Sequence, residues 1–273
     1  AAEVGSDARV IQRAAGSGAP VAAVAALAAA WASLPGDAKA AARDPLASPS
    51  GRREEGPAAV GVLTLRQIDE TTCGAAVLAM VALTTDPFVA VWLATGRIFA
   101  DHRPAAVAGV LGGDWKSGPR TLESRWAALQ RALHAEARRG ALGPFTWPGS
   151  LGTPPWGLAR MVRPFGVRYR GASLDDRSAE AAAAWVAHAS AALADSLPVP
   201  LYSAGDSALG LDTAVPRHVI LLVARVEDGF LAYEPSRGAL MHLPDAAFTG
   251  PGPRRASLGH WSRVAWLVLP SPA

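Results

Sequence analysis

Apolar positions repeat with a helical period in one set of segments and with a strand-like period in another. In "DDRSAEAAAAWVAHASAALADSL" (175–197) the spacing is helical, acidic residues open the segment and Pro198 follows its end, so a helix is predicted. "TLESRWAALQRALHAEARRG" predicts a second: Leu122, Trp126, Leu129 and Leu133 share a face, Thr121 and Glu123 open it, and Arg-Arg-Gly closes it. "CGAAVLAMVAL" (73–83) is apolar on every face, as a buried helix is, with Thr71 or Thr72 placed to cap it. "DPFVAVWLATGRIF" and "PPWGLARMVRPFG" predict shorter helices, the latter with prolines in its first turn and Gly166 past its end.

Short apolar runs rich in β-branched residues predict strands at "AAVGVLTL" (58–65), "VPLYSAG" and "HVILLVARV" (218–226). A tight "EDG" turn then returns the chain as "FLAYEP", a hairpin, and "GALMHL" and "VAWLVLP" complete a sheet. Helices come first and an antiparallel meander follows, so the fold class is α+β rather than alternating βαβ. "VAGVLGGDWKSGPR" and the Pro/Gly/Trp-rich "ALGPFTWPGSLGTPPWG" read as loops. The sequence has no internal repeat, Gly-rich phosphate loop, dinucleotide fingerprint or His-x-x-x-His pair.

Residues 1–56 differ from the remainder. "PLASPSGRREEGP" reads as a linker, which sets a domain at 57–273. Upstream, "APVAAVAALAAAWASL" (19–34) is weakly signal-like: Arg9 and Arg13 precede it, and Ala30-Trp31-Ala32 has the small-x-small form of a cleavage site. Asp7 in the would-be basic region favours an Ala-rich surface helix instead. The run falls short of the roughly 18 apolar residues of a membrane span, so no stable span is expected. The compartment, cytoplasmic or secreted, stays open, as does the role of 1–56 as a propeptide, targeting segment or interaction arm.

Composition narrows the partners. The chain has 273 residues, half of them hydrophobic, enough for one sizeable core. The formal charge is +3, carried almost wholly by Arg (Lys39 and Lys116 are the lysines), and no basic run is interleaved with aromatics. A nucleic-acid partner is therefore not expected. One cysteine rules out an intramolecular disulfide and a Cys-pair zinc site. His102, His134, His188, His242 and His260 lack ligand-spaced partners, so no metal and no cofactor are expected.

That one cysteine, Cys73, stands at the head of the apolar helix, where unsatisfied N–H groups and the helix dipole favour a thiolate. A cysteine nucleophile also needs a base, a group to orient the base, and oxyanion donors. His218 begins a strongly apolar strand, and Glu234 ends the partner strand of its hairpin, so hairpin geometry alone makes them neighbours. Gln67 lies on the turn six residues before Cys73.

Together "Gln67…Thr72-Cys73-Gly74-Ala75-Ala76", "His218-Val219-Ile220-Leu221" and "Tyr233-Glu234-Pro235-Ser236-Arg237-Gly238" resemble the papain-like cysteine peptidases. Among these the pattern is most similar to the bacterial double-glycine leader peptidases and their free-standing relatives. The match spans residues 60–270, apart from about 95–150. The resemblance implies a papain-like fold, with Cys73 as nucleophile, His218 as base, Glu234 as orienting acid and Gln67 as oxyanion donor. It also implies a peptide or protein substrate. The chain departs from the family at two positions: Thr72 stands where an Asp is usual, and Glu234 replaces Asp. Gly74, Trp147 and Trp156 are candidates for the substrate groove, although such tryptophans also commonly pin a long loop to a core. An acyltransferase or transglutaminase-like enzyme using the same triad, and an inactive peptide-binding module, are the competing expectations.

Overall fold

The computed structural model describes residues 2–111, 118–175, 178–205, 218–250 and 252–271. Its centre is an antiparallel sheet of seven strands. In chain order these are β1 (Gly56–Pro57), β4 (Tyr169–Ser173), β5 (Val199–Ala204), β6 (His218–Val226), β7 (Gly229–Glu234), β8 (Ala239–Pro244) and β9 (Arg263–Pro270). Across the sheet they run β1-β8-β7-β6-β5-β9-β4, so β5 to β8 form the expected meander and β9 inserts between β5 and β4.

Side chains alternate across this sheet and feed two cores. Tyr202, Val219, Leu221, Val223 and Tyr233 join the core shared with most of the helices. Leu201, Ile220, Leu222, Phe230 and Leu243 face the other way and are covered by helix α9 (Ala179–Ala194) together with Phe248 and Leu258. Because β6 and β7 are sealed on both faces, their sequences read as continuous apolar runs.

The helical side is organised around α4 (Cys73–Thr85), which buries every residue but Ala82. Asp86 then caps α5 (Pro87–Thr95), accepting a hydrogen bond from the Phe88 amide at 2.9 Å. Helix α7 (Leu122–Arg138) starts at Thr121 in a reciprocal capping box with Ser124, and α8 (Pro155–Met161) follows the Trp-rich loop.

Residues 1–56 hold α1 (Ala2–Gly16), α2 (Val21–Ala30) and α3 (Gly36–Arg43). They belong to the same core: Val10, Ala14, Leu27 and Ala38 are buried in one cluster with Leu83, Phe88 and Trp92. Arg13 donates to the carbonyls of Thr84 and Arg43 (3.0 and 2.9 Å) and also to that of Ala42. Arg53, inside the predicted linker, bonds Asp44 at 2.7 Å and the Val223 carbonyl at 2.6 Å. The alanine-rich α2 lies at the surface and turns only Ala23, Leu27 and Ala30 inward. No single helix among the described residues is long and apolar enough to cross a membrane.

Three local expectations need correction. The single strand expected at 58–65 is a small hairpin, β2 (Ala59–Val60) and β3 (Leu63–Thr64), because Gly61 turns the chain at φ 56°. Part of the loop expected from 107 onward is helical: α6 (Ala105–Leu111) covers the apolar Val107 and Leu111. Strand β4 was not expected at all. The rest of the "GGDWKS" loop (112–117), the "TAVPR" segment before His218, and Asp176 and Arg177 ahead of α9 lie outside the described residues.

Candidate active site

Three buried side chains from distant parts of the chain meet where α4 abuts the sheet. His218 Nε2 donates to Glu234 Oε1 at 2.6 Å. Cys73 also acts on the imidazole and raises its pKa, and with Nε2 committed to Glu234, the nitrogen left for the sulfur is Nδ1. Only 4% of Cys73 and 8% of His218 is exposed, and Glu234 is wholly buried.

The hairpin register explains why a glutamate can serve here. Leu221 pairs with Tyr233, so continuing the ladder sets Ile220 opposite Glu234 and His218 two residues further along. That is a same-face diagonal, a gap of about 7–8 Å between backbones that a longer side chain bridges. The Glu234 carboxylate is saturated. Oε1 also accepts from the Ser236 amide (3.1 Å), and Oε2 accepts from Ser236 Oγ and the Arg237 amide, both at 2.8 Å.

Burial pushes the Glu234 carboxyl up. The hydrogen bond and charge of His218, with the Ser236 and Arg237 donors, outweigh it and hold the group below its ordinary value. Burial likewise pushes His218 down, but its interactions with Cys73 and Glu234 raise it to about 9. The imidazolium is thus the favoured form at neutral pH, between Cys73 and the Glu234 carboxylate. Tyr202, fully buried, is driven well above its ordinary value by burial and by Cys73 nearby.

The turn after Glu234 is clamped to the loop carrying Gln67. The Gln67 amide donates to the Pro235 carbonyl at 2.8 Å, Arg66 Nε to the Arg237 carbonyl at 2.9 Å, and the Tyr233 hydroxyl to the Leu65 carbonyl at 2.6 Å. Gly238 sits at φ 62°, and a Cβ there would lie 2.7 Å from Arg66 Cγ. The same loop folds back on the helix head. Thr72 Oγ1 accepts from the Ile68 and Asp69 amides (3.2 and 3.1 Å) and donates to the Asp69 carbonyl at 3.1 Å. Thr72 is therefore the N-cap residue of α4, yet its hydroxyl serves the loop instead of the helix.

Gln67 Nε2 donates to the Asp69 carbonyl at 2.8 Å, which fixes the amide and leaves its second N–H uncommitted. Its Oε1 is buried without a partner among the described residues. Beside Cys73, Thr153 packs against Gly74 so closely that a Cβ at 74 would fall 2.6 Å from Thr153 Cβ. The Thr153 carbonyl accepts from Tyr202 Oη at 2.9 Å. Trp147, on the loop leading to Thr153, and Trp156, in the first turn of α8, make an edge-to-face pair (5.3 Å between centroids), and Trp156 is half exposed. Trp156 Nε1 donates to the Ala141 carbonyl at 2.7 Å.

Sequence reasoning missed the supports. Trp126 Nε1 and Gln130 Nε2 both donate to the Arg66 carbonyl (2.7 and 3.0 Å), and Gln130 Oε1 accepts from the Ile68 amide at 3.2 Å. A glutamine lying among the apolar positions of α7 was the available signal. Thr153, Tyr202 and Gly259 carried none.

Among the described residues no group of three metal-ligating side chains exists. A groove of about 460 Å³ is lined by Leu78, Asp86, His102, Leu133 and Phe165, away from Cys73. It lies toward the C-terminal end of α4, apart from Cys73, His218 and Glu234. No protein-family model matches this chain, and none of the curated proteins matches it in sequence.

Proposed function

We propose that this chain is a papain-like cysteine peptidase that hydrolyses a peptide or isopeptide bond. The observation that carries the proposal is one buried imidazole bonded through Nε2 to a saturated buried carboxylate, with a helix-head cysteine close enough to raise its pKa. This is the arrangement that thiol nucleophiles need.

In the first step the Cys73 thiolate attacks the scissile carbonyl, forming a C–S bond and moving the carbonyl π electrons onto oxygen. The Cys73 amide at the head of α4 and the free N–H of Gln67 stabilise that oxyanion. The His218 imidazolium then protonates the leaving amine as the C–N bond breaks, giving a thioester. Neutral His218 takes a proton from water in the second step. The hydroxide oxygen bonds to the acyl carbon, the thiolate leaves, and the acid is released. Glu234 keeps the ring oriented and compensates the imidazolium charge.

The two departures from the family pattern are compatible with this chemistry. Glu234 spans a diagonal position in the hairpin, and Thr72 supplies the acceptor that the Ile68 and Asp69 amides require.

Iodoacetamide alkylation of Cys73, followed against pH in wild type and His218→Ala, tests the proposal. Fast alkylation at neutral pH that depends on His218 is expected. A thiol that titrates near the free value of about 8.5 and ignores His218 would sink it. Incubation with candidate peptides, followed by mass mapping of a thioester on Cys73, then reports the substrate.

A further inference from the structure

The tight turn at 255–261 does something the proposed mechanism has not used. Arg255 and Trp261 pair across it, with the Arg255 amide on the Trp261 carbonyl at 3.0 Å. Gly259 lies at its tip with φ 65°, and His260 follows at φ 66°, an uncommon conformation for a side-chain-bearing residue. The backbone of Gly259 rests on the His218 ring. A Cβ there would fall 2.7 Å from His218 Nε2 and 2.8 Å from Cγ, inside the van der Waals surface of the imidazole.

Two further contacts fix this seat. Ser203 pairs directly with His218 across β5 and β6, and its buried hydroxyl donates to the Leu258 carbonyl at 2.8 Å. The residue opposite the histidine therefore holds the residue next to Gly259. On the far side, Arg237 Nη2 donates to His260 Nε2 at 3.1 Å, while the Arg237 amide donates to Glu234. The turn thus reaches both halves of the His218–Glu234 pair.

We infer that Gly259, held by Ser203 through Leu258, is a positioning residue for His218. The bare backbone forms a seat that fixes the imidazole plane and keeps water off the edge bonded to Glu234. Only glycine satisfies both demands at this position. It accepts the positive φ without strain, and it has no atom where the ring must lie. The groups facing His218 are then Glu234 from β7, Cys73 from α4 and the Gly259 backbone, with the Arg237–His260 pair outside them. The inference rests on the reading of Cys73, His218 and Glu234 as the reacting set.

The experiment uses the full chain as wild type, Gly259→Ala, Ser203→Ala and His218→Ala. NMR of ring-labelled histidine follows the His218 titration, iodoacetamide reports Cys73 reactivity at neutral pH, and circular dichroism checks folding. In wild type the His218 midpoint is expected near 9. Gly259→Ala is expected to move that midpoint down toward the ordinary value near 6.5 and to slow alkylation at least about tenfold. Ser203→Ala is expected to move both in the same direction by less. Folded variants with the wild-type titration and rate overturn the inference. If Gly259→Ala does not fold, Ser203→Ala decides: a lowered midpoint supports the seat, and an unchanged one overturns it. Equal alkylation of wild type and His218→Ala removes instead the reading of the site, and with it the reaction the seat would serve.

Discussion

Glu234 and Asp86 are both largely buried carboxyls in this protein, and their surroundings drive them in opposite directions. Glu234, at the end of β7, accepts four hydrogen bonds and faces an imidazolium, and it is held below its ordinary value. Asp86, between α4 and α5, is pushed up to about 6 by burial. Its bonds to the Phe88 and Val89 amides, the charge of Arg13 and the Ser17 hydroxyl only partly offset that. Burial acts the same way on both. The number and charge of the donors decide the outcome, and the turn "EPSRG" supplies donors that the helix junction does not.

The comparison can be broken from either end. The largest effect is expected at the reacting groups themselves: Cys73→Ala or His218→Ala should lower peptide turnover by at least about 10³-fold. Loss of the thioester signal on Cys73 is the check. Next, Glu234→Ala strips the carboxylate from a buried imidazolium. It should destabilise the fold by about 3 kcal/mol at neutral pH, read by urea denaturation, and lower turnover by about 10²-fold.

The wild-type pH profile follows from the same pair. His218 is raised, so its contribution to stability is complete below about 6.5 and is lost as pH rises through about 9. Turnover should fall over that same alkaline range. Glu234 is depressed, so its contribution is complete above its ordinary value and disappears as pH falls through the lower folded one.

Gly74→Ala should cost about 1–3 kcal/mol, because the new methyl collides with Thr153. The melting temperature and the fluorescence of the Trp147–Trp156 pair would both report it. The smallest effect is expected at Asp86. Its raised value means the folded state binds more protons than the unfolded one between about 4 and 6, so stability falls as pH rises through that window. Asparagine caps a helix equally well. Asp86→Asn should therefore stabilise by on the order of 1 kcal/mol at pH 7, should match wild type below about pH 4, and should leave turnover unchanged. If Asp86→Asn destabilises at neutral pH, the contrast between the two carboxyls fails.

Much of this arrangement was legible before the fold was known, for reasons that differ by residue. The strands β6 and β7 announce themselves because both faces are buried, and the tight turn makes them neighbours, but the one-residue register shift between Leu222 and Ala224 that puts His218 on the face of Glu234 left no mark in the sequence. The helix bearing Cys73 was legible from its unbroken apolar run. Contacts between residues far apart in sequence left no trace in composition. Thr153 meets Gly74, Ser203 meets Leu258, and Gln130 meets the loop before the cysteine. The hairpin at Gly61 was hidden because β2 and β3 are two residues each and merge into one apolar run.

Arg13 and Arg53 fasten the first three helices near the C-terminal end of α4, bonding the carbonyls of Thr84 and Val223. A thirteen-residue helix is about 20 Å long, so this fastening lies a full helix length from the thiol. A protease that nicked the 48–55 segment would leave the contacts of Gly74, His218 and Glu234 as they were. Such a cut would be felt as a lower melting point and a stickier surface around Phe88 and Trp92, and not as the release of a latent enzyme.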